Sequence, residues 1–360
     1  MKYIKQLDTI RAFSVLLVVI THWIPSTHPI HKIPLGYVGV TSFFVLSGFL
    51  ITNILLNNKD SAEVQGISKA SVLKSFYLRR SLRIFPIYYL TLALLYAFQS
   101  HMVVDIRTPF VYFLTYTQNY YIFRIKEWPG LLGHLWTLAI EEQFYLLWPF
   151  VIMFIKANKI IYAIIAFIAI GLITHVVVHN VVMGVMITSS SFDAFGIGAL
   201  LSWFIHFKPH LLRLLYKWVT WLAALSVVLF FFVFYPLKFA NILPTGFIIS
   251  IVAAWLMLYI YINHDQDTLR FKFLLNNRYL IFIGKISYGI YLYHNILPAF
   301  FDNFIRININ SHLPEVLGTK YFGVFNIIEN LVLILSLSWL SYSFIEKPFL
   351  KLKQRFKYVS

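Results

Sequence analysis

Ionisable residues inside long apolar runs are the most informative feature of this 360-residue sequence. Each costs roughly 2.5 to 3.5 kcal/mol at the centre of a bilayer, and so needs either a partner or a task. The first run reads LDTIRAFSVLLVVITH (7–22) and carries Arg11 and His22. Eleven residues apart on a helix, they lie within about 20° of one face and ~16 Å apart along the axis. They line one path across about half of a membrane. Taken singly, Arg11 is also explained as a snorkelling residue paired with Asp8, and His22 as an interfacial histidine.

A later run, HLWTLAIEEQFYLLWPF (134–150), holds Glu141 and Glu142. Adjacent helical positions differ by 100°, so the two carboxyls point in different directions. Pairing with a basic residue on another helix competes here with a proton-handling or substrate-binding role. Arg80 and Arg83 stand at i,i+3 on one helix face, and paired guanidinium forks suit phosphate groups. Ser287 and His294 in SYGIYLYH, and Asp193 in SFDAFGIGAL, add polar groups that singly serve as well as hydrogen-bonding glue between helices. Ser47, Tyr145 and Tyr288 are candidate donors to a developing oxyanion.

Taken together these residues offer an arginine cluster for a phosphorylated ligand and a deeper His and Glu for proton transfer. There is no HExxH spacing, no Gly-rich phosphate loop and no GxSxG elbow, and no metal is expected. Cysteine is absent, which removes disulfides, thiolate ligands and thioester-forming nucleophiles. General-base catalysis on a hydroxyl, with a phosphate-bearing donor reaching in from the cytosol, fits best.

The elements that must position these groups are helical spans. Hydrophobic residues make up 59% of the chain, charged residues 12%, and mean hydropathy is +0.74; soluble domains carry about twice that charge, so a soluble enzyme is excluded. Ten candidate spans fall at roughly 7–24, 35–56, 84–99, 134–155, 160–182, 191–206, 218–235, 242–262, 280–301 and 323–345. The aromatic stretch 109–123 reads as interfacial or re-entrant, and 66–83 as an interfacial helix leading into the third span. With the N-terminus inside, 23 of the 30 Lys and Arg are cytoplasmic, leaving Lys32, Arg107, Arg124, Lys126, Lys238, Arg306 and Lys320 outside. That asymmetry predicts an all-α bundle with both termini cytoplasmic, and it accounts for the net charge of +16 without nucleic acid as a partner. No cleavable signal, internal repeat or appended soluble domain is expected: residues 1–350 form one membrane domain, followed by a basic cytoplasmic tail at 351–360.

At these residues the sequence resembles the acyltransferase-3 family of integral membrane acyltransferases. The resemblance runs from about Lys5 to Phe349. It rests on LDTIRAFSVLLVVITH (7–22) with its Arg-x10-His spacing, FFVLSGFLIT (43–52), FYLRRSLRIFPIYY (76–89), HLWTLAIEEQFYLLWP (134–149), SFDAFGIGAL (191–200), SYGIYLYH (287–294) and FIEKPF (344–349). It implies about ten transmembrane helices in a bacterial cell membrane, and transfer of an acyl group, commonly acetyl, from acyl-CoA to a hydroxyl of a sugar or other small acceptor. It also implies functional roles for Arg11 and His22, a donor site at Arg80 and Arg83, and a place for Glu141 in the family's acidic motif, where Glu142 matches a variable position. Thr9 and Ala12 stand where many members carry glycine, and Ser191 where many place an arginine. Members fused to a soluble SGNH-type domain exist; no such domain is seen in this sequence.

The mechanism expected on that basis has acyl-CoA docking from the cytosol, its phosphates held by Arg80, Arg83 and either Arg11 or Arg79, with the pantetheine arm along the Arg11–His22 face. His22 deprotonates the acceptor hydroxyl and Glu141 orients His22 or holds the acceptor. Glu142, Tyr145, Asp193, Ser287 and His294 are the expected acceptor-binding residues, and the acceptor is a cell-surface or lipid-linked carbohydrate, with membrane lipid around the bundle. Two other readings stay open: a proton-coupled transporter using the same His, Arg and Glu, and acylation of a small molecule rather than a glycan.

Overall fold

The computed structural model describes residues 3–98, 109–178, 181–234, 245–265, 271–301 and 322–356, and every regular element among them is helical. Inside hydrocarbon a backbone has no water to bond, and a helix closes its N–H and C=O groups within its own segment. The chain runs through α1 (Gln6–Trp23), α2 (Leu35–Gln65) and α3 (Lys69–Phe98) into two short helices, α4 (Phe110–Leu114) and α5 (Gln118–Ile125). Then come α6 (Trp136–Phe154), α7 (Ile160–Val178), α8 (Phe192–Phe207), α9 (Leu212–Phe234) and α10 (Thr245–Asn263). The short α11 (Lys272–Leu275) precedes α12 (Arg278–Lys285) and α13 (Ser287–Tyr293). Finally α14 (Phe322–Ser341) passes through a π-helical turn at Tyr342–Glu346 into α15 (Lys347–Leu352).

Seven helices among the described residues are long and apolar enough to cross a membrane: α2, α3, α6, α7, α9, α10 and the α14–α15 rod. The protein is a multi-pass membrane protein. The other three expected spans, 7–24, 191–206 and 280–301, correspond to α1 with 18 residues including Asp8 and Arg11, to α8 with only 16, and to a segment broken at Ile286 between α12 and α13. The first carries charge, the second is short, and the third is interrupted. Along α1, Leu7, Ile10, Val15 and Val18 are all buried, whereas α9 turns Trp218, Trp221, Leu225 and Phe231 outward, where lipid tails make an apolar surface free of penalty.

Close packing at the centre has a sequence cause. A Cβ at Gly48 of α2 or Gly198 of α8 would collide with the carbonyl oxygens of Phe195 and Val45 respectively, so these two helices meet backbone to backbone through small residues. Aromatic stacking extends the contact: Phe144 of α6 lies on Phe195 at 4.1 Å and Phe167 of α7 on Phe192 at 3.8 Å between ring centroids. At its far end α2 stops at Gly66 with φ +68°, a left-handed cap that glycine adopts without cost.

Several expectations change. The interfacial helix expected at 66–83 and the third span are one continuous helix of 30 residues, because Pro86 removes a single backbone donor without ending it. The stretch 109–123 holds α4 and α5. Residues 351–356, expected as the start of a tail, fold back on α3, where Arg79 Nη1 donates to Lys353 O at 3.2 Å and Phe356 O at 2.7 Å. Arg107, Lys238, Arg306 and Lys320 from the expected outer set lie outside the described residues, as do Lys2, Arg270, Lys357 and the final residues 358–360.

Lys59, one of the 23 expected cytoplasmic charges, is 4% exposed, and its Nζ donates to Ile152 O at 2.9 Å and to Ile155 O. The last carbonyls of α6 have no helical partner, so this ammonium completes the helix end and meets the negative pole of its dipole. Lys59→Met is expected to cost about 1–3 kcal/mol, read as a lower thermal unfolding midpoint in detergent; an unchanged midpoint would contradict this capping role.

Candidate active site

The site is built around α1. Its inner end is tied by Gln6 Nε2 donating to Asn276 Oδ1 at 2.9 Å and Thr9 Oγ1 donating to Leu275 O at 2.9 Å. Thr9 thus gains a hydrogen bond that a glycine could not make, and Ala12 is fully buried. At the other end Trp23 Nε1 donates to His294 O at 2.8 Å. Between these ties the helix fixes Arg11 and His22 ~16 Å apart on one face.

Near Arg11 lies a cavity of ≈ 100 Å³ bordered by Arg80 and Arg83 of α3, Ser47 of α2, Glu141, Glu142 and Tyr145 of α6, and Ser287 and Tyr288 of α13. Eight residues singled out in the sequence meet here with Arg11. The 100° between Glu141 and Glu142 is kept, yet both border the cavity, because its walls run from α2 across α6 to α3. Glu141 Oε1 accepts from Ser47 Oγ and Tyr145 OH, whereas Glu142 has Tyr88, Tyr89 and Tyr116 as electrostatic neighbours. The Arg80 guanidinium sits 4.8 Å above the Tyr145 ring. Among the described residues neither Arg80 nor Arg83 forms an ion pair or a hydrogen bond with a protein group. Arg11, by contrast, pairs with Asp8.

Arg11, Arg83 and Tyr288 also border a larger cavity of ≈ 780 Å³, walled further by Asn53, Asn57 and Glu346. The two cavities therefore share a cationic partition. On the tail side, burial together with Arg83, Arg80 and Arg79 pushes the Lys353 ammonium down to about 7. Arg11, Arg80 and Arg83 thus gather beside Lys353, and although Glu141, Glu142 and Glu346 border the same cavities, the grouped guanidiniums suit a polyanion.

His22 borders neither cavity. It stands in a group of three histidines: its ring centroid is 4.9 Å from His294 and 6.3 Å from His134, which are themselves 4.6 Å apart. His22 Nδ1 is 3.0 Å from Val18 O and 3.0 Å from His294 Nε2. No three His, Cys, Asp or Glu side chains among the described residues converge as a metal site. Tyr291 bridges the two regions. It borders the smaller cavity, contacts Thr137 Oγ1 at 2.5 Å, donates to His134 O at 2.9 Å and has its ring 5.6 Å from that of His294.

Two expected roles look different in the structure. Asp193 borders neither cavity; the first turn of α8 packs against α7, where Asp193 Oδ2 lies 3.5 Å from His175 Nε2. Glu141 makes its hydrogen bonds with Ser47 and Tyr145, and the side chain beside His22 is His294. Ser287 reaches the cavity while its hydroxyl donates to Gly284 O at 2.9 Å. Sequence reasoning passed over His134, Glu346 and the Asn53/Asn57 pair. His134 opens the HLW motif, Glu346 is an acid within an apolar run, and Asn53 and Asn57 stand at i,i+4, so each carried a readable signal.

A family model described as an acyltransferase domain matches residues 4–345. A relative from Staphylococcus aureus (strain COL), whose name includes O-acetyltransferase, is 28% identical over 386 residues, covering 98% of this chain and 58% of its own length. The O-acetyltransferase OatA of Staphylococcus aureus (strain NCTC 8325 / PS 47) is 28% identical over 397 residues, 97% of this chain and 58% of that protein. The peptidoglycan O-acetyltransferase OatA of Listeria monocytogenes is 34% identical over 174 residues, 44% of this chain and 26% of that protein. The chain thus spans a little over half the length of the curated relatives it matches end to end. No solved structure matches. Because the family match covers nearly the whole chain, this protein belongs to the acyltransferase-3 family.

Proposed function

We propose that the chain moves an acetyl group from acetyl-CoA to a hydroxyl of a cell-surface or lipid-linked glycan, with His22 as the general base. The reading is carried by one helix face that joins a cluster of guanidiniums, two of them without an ion-paired or hydrogen-bonded protein group among the described residues, to a histidine whose Nε2 makes no hydrogen bond among them. The names of the relatives, O-acetyltransferase and peptidoglycan O-acetyltransferase, support the acetyl group and the glycan acceptor.

With both termini in the cytoplasm, the larger cavity opens inward and admits the nucleotide end of the donor. Arg80, Arg83 and Lys353 hold its phosphates by charge-assisted hydrogen bonds, and the pantetheine arm passes Tyr291 toward His22. His22 Nε2 takes the proton of the acceptor hydroxyl as its oxygen attacks the thioester carbon. The C–S bond breaks, and the departing CoA thiolate receives that proton from His22. Glu141 acts at one remove: by accepting from Tyr145 it fixes the ring on which Arg80 rests.

Cells carrying His22→Ala in place of wild type should lose an ester-linked acetyl group from their surface glycans, read by mass spectrometry. Full restoration by His22→Ala would remove His22 as the base, and glycans unchanged on deleting the gene would redirect the acceptor to a small molecule. Arg83→Ala is expected to raise the KM for acetyl-CoA at least tenfold, about 1.4 kcal/mol of binding, with kcat within a few-fold; a pure kcat loss would contradict a donor-binding role.

Lys353, held near 7 by burial and by its cationic neighbours, is partly neutral at pH 7.5, and a bound polyanion raises it. CoA binding should therefore take up a proton, so the calorimetric enthalpy at pH 7.5 should differ between buffers of low and high ionisation enthalpy, and the difference should vanish in Lys353→Met. Equal enthalpies in wild type would place the phosphates away from Lys353.

A further inference from the structure

The histidine group contains more chemistry than one base. Each ring turns Nδ1 toward a main-chain carbonyl: His294 Nδ1 lies 2.7 Å from Tyr291 O, His134 Nδ1 2.9 Å from Leu131 O and His22 Nδ1 3.0 Å from Val18 O. A carbonyl oxygen only accepts, so in neutral His22 and His294 the Nδ1 atom carries the hydrogen and Nε2 holds the lone pair; His134 is not fixed in this way, because its Nε2 also lies 3.4 Å from Leu292 O. His294 Nε2 is aimed at His22 Nδ1, 3.0 Å away. Val18 O already receives the helix's own N–H from His22 by the i to i−4 pattern, and it is therefore a shared, weakened acceptor for the ring. His294 Nε2 is the second one. It is also rigidly held, since the residue is fully buried and its own carbonyl is gripped by Trp23 Nε1 at 2.8 Å.

We infer that His294 is a positioning residue for catalysis: its Nε2 accepts the hydrogen of His22 Nδ1, which keeps His22 in the tautomer whose Nε2 lone pair faces the reacting hydroxyl. This replaces the acceptor-binding role that its sequence position implied, and it rests on His22 being the base. The free histidine side chain favours hydrogen on Nε2, the tautomer in which His22 could not take a proton at that nitrogen, so the pairing has a measurable job. As the reaction turns His22 into imidazolium, the same bond strengthens because its donor becomes charged.

The test compares His294→Gln, whose Oε1 can stand near the place of Nε2 and accept, with His294→Leu, which cannot. His294→Leu should lower kcat for acetyl transfer about 30-fold or more, with the KM for acetyl-CoA within twofold, while His294→Gln recovers at least a third of the wild-type rate. Full activity in His294→Leu, or equal losses in both variants accompanied by a raised KM, would overturn the inference. A second readout needs no turnover: solid-state 15N spectra of histidine-labelled protein in lipid, with the His22 signals identified by their loss in His22→Ala. Wild type should show His22 protonated at Nδ1 and bare at Nε2, and His294→Leu should shift it toward the opposite tautomer; an Nε2–H ring in wild type, or no change in His294→Leu, would overturn the assignment. If wild type transfers no acetyl group, the functional reading fails while these spectra still decide the role of His294.

Discussion

Hydrocarbon does not solvate charge, and that constraint orders the whole molecule. Asp8 is matched by Arg11, Asp193 faces His175, and Lys59 completes the end of a neighbouring helix. Arg80 and Arg83 differ from these: they border a cavity shared with Glu141 and Glu142, and among the described residues neither forms an ion pair. Guanidiniums placed in this way are open to a ligand that brings negative charge.

The same constraint explains why α1 works as a spacer. Only a helix can carry backbone through the membrane without unmet hydrogen bonds, and a helix gives a fixed rise per residue. Both ends of α1 are fastened to the segment between Leu275 and His294, through Thr9 at one end and Trp23 at the other. The separation between Arg11 and His22 is therefore set by covalent geometry and held by two hydrogen bonds rather than by loop packing. Tyr291, positioned by Thr137 and by the His134 carbonyl, occupies the ground between the two regions.

The sequence made the chemistry legible where types and spacing are enough. The Arg11–His22 face, the Arg80/Arg83 fork and the acidic pair all follow from helical periodicity, and the structure gathers Arg11 with the last four around one cavity. It could not show partners set by tertiary contact. Asp193 and His294 both read as polar residues on apolar helices; only packing sends the first to His175 and the second to His22. Helix boundaries were blurred for a related reason, since Pro86 within α3 and the break at Ile286 look alike in a hydropathy profile. Span counting by apolar length favours long helices, so α1, which carries Asp8 and Arg11, and α8, with only 16 residues, satisfy it least.

The account stands or falls on whether one donor molecule reaches from the arginines to His22. A cryo-EM structure with a non-hydrolysable acetyl-CoA analogue measures this directly. The account predicts phosphates in hydrogen-bond contact with Arg80 or Arg83, and an acyl carbon about 5 Å from His22 Nε2, leaving room for one hydroxyl oxygen between them. An analogue whose phosphates bind elsewhere, or whose acyl end points away from His22, would contradict it.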